Sequence, residues 1–188
     1  MFIAKTIESI LTLEEFLEMP ETKPASEYLE GIIEQKPIPQ GEHSSLQIQL
    51  GTAINNFSIP RKLAYAFPEL RCSFSNRSIV PDLVVFNWAR IPRTHQGKIA
   101  NKFEIYPDWI IEILSPEQST NKDIKKILFC LKQETKLGWL IDPEDESVMI
   151  FKPDQLPEII SGADILPTLN ILSDWQLTSQ EIFDWLKL

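Results

Sequence analysis

The chain reads as an α/β protein: a mixed sheet flanked by helices, in a single domain. Three observations predict this. Two amphipathic helical segments open the chain, a run of short β-branched or aromatic segments follows, and one further helical segment interrupts that run before it resumes. With 188 residues, 43% hydrophobic and 24% charged, the chain suits one core. No repeat, low-complexity tract or linker divides it, although 14 prolines punctuate it.

The first helix opens at Thr12, where Thr12 and Glu15 have capping-box spacing and Leu13, Phe16 and Leu17 form an apolar stripe. Tyr28 to Glu34 reads as a short strand. Pro37 and Pro39 then force an extended passage to a second helix, in which Leu46, Leu50, Ala53, Ile54 and Phe57 recur at helical spacing until Pro60 stops it. Strands are predicted over 63–67, 70–75, 83–86, 109–114, 139–141 and 148–151. A helix over about 121–134 interrupts them, with Ile124, Ile127, Leu128 and Leu131 as its predicted inner face. A last helix carries Ile182, Phe183 and Leu186.

No segment resembles a signal peptide or a membrane span, because runs such as 109–114 are broken by charge and far too short to cross a bilayer. The expectation is a soluble, cytoplasmic protein. Cys72 and Cys130 are too few and too far apart for a disulfide framework or zinc knuckle and read as small buried hydrophobes. The net charge of −9 argues against a protein that simply coats nucleic acid. The charge is uneven, however. Residues 61–102 carry Arg61, Lys62, Arg71, Arg77, Arg90, Arg93, Lys98 and Lys102 against only Glu69 and Asp82, whereas both flanking segments are strongly acidic. A run of this kind is often a solvated loop balancing acidic neighbours, but this one brackets Asp82.

Two carboxylates stand out. Asp82 heads the segment Pro81-Asp82-Leu83-Val84-Val85-Phe86, a position that turn chemistry alone can explain. Glu112 lies inside Trp109-Ile110-Ile111-Glu112-Ile113-Leu114, where both strand faces are apolar. An unpaired charge there costs several kcal/mol, so Glu112 needs a cation, a basic partner or a proton. A divalent metal shared with Asp82 meets that need, since hard ions are held by one or two carboxylates and complete their shell with water and phosphate oxygens. A buried ion pair with Arg71 or Arg77 meets it equally well.

The segments Ile79-Val80-Pro81-Asp82, Glu112-Ile113-Leu114-Ser115-Pro116, Lys126 and Gly138-Trp139-Leu140-Ile141-Asp142-Pro143 resemble, in order and spacing, the Uma-two family of restriction endonucleases within the PD-(D/E)XK nuclease superfamily. The similarity runs from the stretch Glu27 to Gly31 and His43 through Asp142-Pro143. The resemblance implies a restriction-endonuclease-like core, dependence on Mg²⁺ (with Mn²⁺ as a substitute), hydrolysis of phosphodiester bonds and a nucleic-acid substrate, DNA in the first instance. It also implies Asp82 and Glu112 as metal ligands and catalytic residues. A Glu-x-Lys motif would put the catalytic lysine at position 114, where this chain has Leu114; the resemblance points instead to Lys126 on the following helix. The predicted helix face turns Lys126 away from the core and leaves Lys122 and Lys125 as alternatives. Glu30 and His43 are further candidates by position, although His43 also reads as a first-turn residue. Arg90, Arg93 and Lys98 of the cationic segment are the expected phosphate contacts, with His95 beside them.

The functional expectation is therefore a metal-dependent endonuclease. Two rivals stand beside it: a non-catalytic interaction protein on the same fold, supported by Leu114 and Cys130, and a metal-dependent hydrolase of small phosphate esters, which suits the acidic balance. Convergence of Asp82 and Glu112 with a lysine favours catalysis, and an Arg between them favours interaction. No base-reading module is visible. Cleavage of two strands makes a homodimer an open expectation, with Trp88, Trp175 and Trp185 as its apolar surface if exposed and as core if not.

Overall fold

A computed structural model describes residues 11–116 and 119–187. Its centre is a six-stranded sheet of order β10-β9-β8-β7-β6-β3, built from β3 (Ala64–Pro68), β6 (Leu83–Asn87), β7 (Trp109–Ile113), β8 (Leu137–Asp142), β9 (Ser147–Phe151) and β10 (Glu158–Ser161). Only β7 and β8 run parallel. A parallel pair needs a long crossover, and α3 (Thr120–Lys132) supplies it. A second sheet, of order β2-β1-β5-β4, comprises β1 (Ser26–Leu29), β2 (Ile32–Gln35), β4 (Cys72–Phe74) and β5 (Arg77–Ile79). The expected mixed sheet flanked by helices is present, and this smaller antiparallel sheet is an addition to it.

Alternation along the central strands sorts the core into two halves. Trp109, Ile111 and Ile113 of β7 point to one face, where Leu46, Leu50 and Ile54 of α2 (Gly41–Ser58) and Ile182 and Phe183 of α4 (Ser179–Asp184) cover them. Trp109 and Trp139 meet there edge to face at 4.6 Å. Val84, Phe86, Ile110 and Leu140 point to the other face, against Ile127 and Cys130 of α3 and Cys72, Phe74 and Ile79 of the small sheet. Each such side chain contributes on the order of 1.5–3 kcal/mol by leaving water.

The predicted elements recur with informative shifts. Thr12 and Glu15 form the reciprocal capping box of α1 (Leu13–Glu18), which buries Phe16. The single strand expected over 28–34 is a hairpin, because Glu30 and Gly31 take positive φ and turn the chain. Ser75 and Asn76 do the same before β5. On α3 the inner face differs from the expected one: Asp123, Lys126, Ile127 and Cys130 are buried, Ile124 and Leu131 are partly buried, and Leu128 is exposed. The polar members of that face are held by the site described below. Trp88, Trp175 and Trp185 are partly buried against the core rather than free apolar surface.

Candidate active site

Antiparallel pairing sets Leu83 opposite Ile111, so Asp82, one residue ahead of β6, falls beside the end of β7 that carries Glu112. The link is direct: Asp82 Oδ2 accepts a hydrogen bond from the Ile113 amide at 2.8 Å. Lys36, just beyond β2, donates to Asp82 Oδ1 at 2.6 Å and to the Val80 carbonyl at 2.8 Å. His43, in the first turn of α2, places Nε2 3.0 Å from Asp82 Oδ2, while its buried Nδ1 has no hydrogen-bond partner among the described residues. Burial alone would raise the Asp82 carboxyl, but the His43 hydrogen bond and the Lys36 ammonium outweigh it and hold Asp82 well below the usual carboxylate range.

Glu112 shares the β7 face of Ile110, directed at α3. Lys126 reaches it from the helix: its Nζ lies 3.2 Å from Glu112 Oε1, 3.0 Å from Glu27 Oε1 and 3.9 Å from Asp123 Oδ1. Glu27, on β1, also accepts the Val80 amide at 2.7 Å. The Val80-Pro81-Asp82 segment is thus clamped at its amide by Glu27 and at its carbonyl and carboxylate by Lys36. Leu114, at the position of a Glu-x-Lys lysine, packs into the apolar cluster, and the ammonium that contacts Glu112 is that of Lys126. Burial would lower the Lys126 ammonium, yet Glu112, Glu27 and Asp123 hold it above its ordinary value and keep it charged.

Four carboxyls, Glu27, Asp82, Glu112 and Asp123, therefore face two ammonium groups, Lys36 and Lys126, and the His43 imidazole, so carboxyls outnumber cations. The strain appears where it should. Burial pushes the Glu112 carboxyl well above its ordinary value against the pull of Lys126, and burial raises Asp123 to about 6. Although Glu112 Oε1 is within ion-pair distance of Lys126, no donor is aligned to hydrogen-bond it, and Asp123 Oδ2 is also without a donor among the described residues. An excess of hard oxygen donors over cations fits a divalent cation. No three His, Cys, Asp or Glu side chains among the described residues converge closely enough to hold one unaided. The donor set is of the kind that water and substrate oxygens complete.

A family model described as "putative restriction endonuclease", Uma2, matches residues 13–180. The chain belongs to the Uma2 family. A crystal structure described as that of a putative nuclease of DUF820 from Anabaena variabilis is 50% identical in sequence, superposes with a TM-score of 0.92, and is matched over 94% of this chain and 99% of that one. No curated protein matches the chain.

Within the Uma2 fold, the structure brings Asp82, Glu112, Lys126 and His43 together and corrects other expectations. Glu30 occupies the β1–β2 turn, faces solvent and pairs with Arg77, so it lies outside the cluster; Glu27, three residues earlier, lies inside it. Lys126 belongs to the inner face of α3, while Lys122 and Lys125 are exposed. Arg71 pairs with Glu21 and Arg77 with Glu30, so neither fills the space beside Glu112. The part of the cationic segment that follows Asp82 lies away from it in space. β6 runs away from Asp82, and Arg90, beyond its far end, pairs at 2.8 Å with Asp108. Asp108 precedes Glu112 by four residues along β7, about 13 Å. Arg93, anchored on the Trp88 carbonyl and ring, and Lys98, exposed on the same loop, lie beyond that end as well. Sequence reasoning missed Glu27, Lys36 and Asp123. Lys36 follows an extended prolyl passage with no pattern of its own, and Asp123 carries the ordinary first-turn signature of a helix. Among the described residues, no helix is long and apolar enough to cross a membrane.

Proposed function

We propose that this protein is a nuclease that hydrolyses phosphodiester bonds in DNA with Mg²⁺ or Mn²⁺. One observation carries the reading: a buried lysine stands between Glu27 and Glu112 beside an Asp82 held in its anionic form, in a cluster where carboxyls outnumber cations. That pattern suits a metal-dependent hydrolase, and membership of Uma2 and the likeness to a putative nuclease supply the substrate class. An Arg-filled site, which an interaction protein would display, is not what surrounds Glu112.

Asp82 and Glu112 would hold the ion. Bound there, it supplies polarisation of a phosphoryl oxygen and a lowered pKa for water. The rest falls to the chain. His43 and Lys36 keep Asp82 anionic and fix the direction of its carboxylate. Lys126, charged and held on three carboxyls, orients the attacking water or takes up charge on the phosphate oxygens. Glu27 positions that ammonium through its second contact, the Val80 amide.

The reading is tested by titrating Mg²⁺ and Mn²⁺ against DNA, RNA and mononucleotide substrates, with Glu112→Gln as the control. DNA cleavage that requires the metal and falls about 100-fold or more in Glu112→Gln is expected. Equal activity of wild type and Asp82→Ala would falsify it, and selective turnover of mononucleotides would move the substrate to small phosphate esters.

A further inference from the structure

Two large cavities flank the carboxylate cluster, and their charges are opposite. One, about 770 Å³, opens on the His43 side and is lined by Glu42, Asp142 and Glu144 without a Lys or Arg. The other, about 600 Å³, opens on the Lys126 side between β2 and α3, and Lys36, Arg77, Lys122, Lys125, Lys126 and Phe129 contribute to its wall. Its acids are Glu27, Glu34 and Asp123. In a chain of net charge −9, this is the approach to the cluster on which cations outnumber acids.

We infer that the cleft between β2 and α3 takes an unpaired nucleic-acid strand, with Lys122 and Lys125 on its phosphates and the Arg77–Phe129 stack against a base. The inference rests on the nuclease reading above and names the form of its substrate. Depth supports it. The side chains of Asp82, Glu112 and Lys126 are only 3%, 1% and 8% exposed. A duplex is a stiff rod with a persistence length of about 150 bp, whereas a single strand bends into a cleft of this size. The wall chemistry agrees. Arg77 lies 4.1 Å from the centre of the Phe129 ring and is held in place by Glu30, and that ring also stacks with Phe74 at 5.2 Å. A guanidinium so fixed offers a plane on which a base stacks, and bases are open to stacking only when unpaired. Finally, Lys122 reaches across the mouth to Glu34 at 3.1 Å. Both groups are well exposed, so the pair is weak and a phosphate can displace the carboxylate.

Binding of labelled oligothymidylate and of a short duplex is measured by fluorescence anisotropy in EDTA, where no turnover contributes. Wild type binds the unpaired strand more tightly than the duplex. Lys122→Gln with Lys125→Gln weakens strand binding on the order of tenfold and flattens the dependence of log K on log salt by about 1.4, while Arg93→Gln with Lys98→Gln changes neither. Glu34→Gln tightens binding, since it frees Lys122. Equal affinity for duplex, an unaltered Lys122/Lys125 double variant, or no oligonucleotide binding by wild type overturns the inference. The nuclease reading fails separately, on turnover that survives loss of Asp82.

Discussion

Lys126 Nζ lies 3.2 Å from Glu112 Oε1, a contact between helix α3 and strand β7 that sets a full positive charge beside a carboxyl with no other cation in contact. Removing the ammonium leaves Glu112, Glu27 and Asp123 facing one another in a low-dielectric space. Lys126→Met is expected to cost about 3–5 kcal/mol at pH 7. Urea denaturation measures it. The loss shrinks as pH falls from 7 toward 4, because the orphaned carboxyls, already raised by burial, take up protons across that range; a loss that is the same at pH 4 and pH 7 would rule out the charge-based account.

Glu27 and Glu30 are three residues apart on one hairpin and have opposite fates. Glu27→Gln leaves Lys126 with one fewer anionic partner and weakens the clamp on Val80, so cleavage drops about tenfold or more. Glu30→Gln removes an exposed pair with Arg77 and changes stability by less than about 1 kcal/mol, with kcat retained and only strand binding weakened as Arg77 loses its anchor. Side-by-side turnover assays decide, and equal losses would put both residues in one functional group.

That pair also shows how far the sequence could be read. Glu112 was conspicuous because an apolar strand makes a lone carboxylate costly, and the central strands β6 to β9 followed from their β-branched runs. Glu27 could not be separated from Glu30 without knowing that Glu30-Gly31 forms the turn, since a one-residue change of register exchanges inside for outside. The family resemblance pointed to Lys126, but its burial was hidden for a related reason: hydrophobic periodicity assigns a polar residue to the solvent face, and only the carboxyls of β1 and β7 make its burial favourable. Arg90, Arg93 and Lys98 stand away from Asp82 because proximity in sequence says nothing about which end of β6 a later residue leaves from.

Asp123 gives a pH signature of its own. Burial raises its carboxyl from 3.8 to about 6, so over that window the folded state binds more protons than the unfolded chain, and stability falls as pH rises. Above pH 7 the whole cost is present; below pH 4 none is. Asp123→Asn is therefore expected to be more stable than wild type by up to about 3 kcal/mol at pH 8 in EDTA, and indistinguishable from it at pH 4. Denaturant midpoints at the two pH values test this, and a variant less stable at pH 8 would mean that its ion pair with Lys126 outweighs the burial cost.

Gly138 on β8 lies under α3, and a methyl group added there would collide with Ile127 Cγ2. Ile127 is fully buried and adjoins Lys126, so the clash cannot be relieved by a side-chain swing into solvent. Gly138→Ala should push the helix off the sheet, cost about 1–3 kcal/mol and draw the Lys126 ammonium away from Glu112. Activity then falls further than the population of folded protein can explain. Ile127→Ala alone leaves a cavity and destabilises by about 2–5 kcal/mol. In the double variant the new methyl occupies part of that space, so the two changes together should cost less than their sum, with cleavage partly restored. Strict additivity in stability, with cleavage unaffected by Gly138→Ala, would show that the closeness of α3 to β8 does not set the position of Lys126.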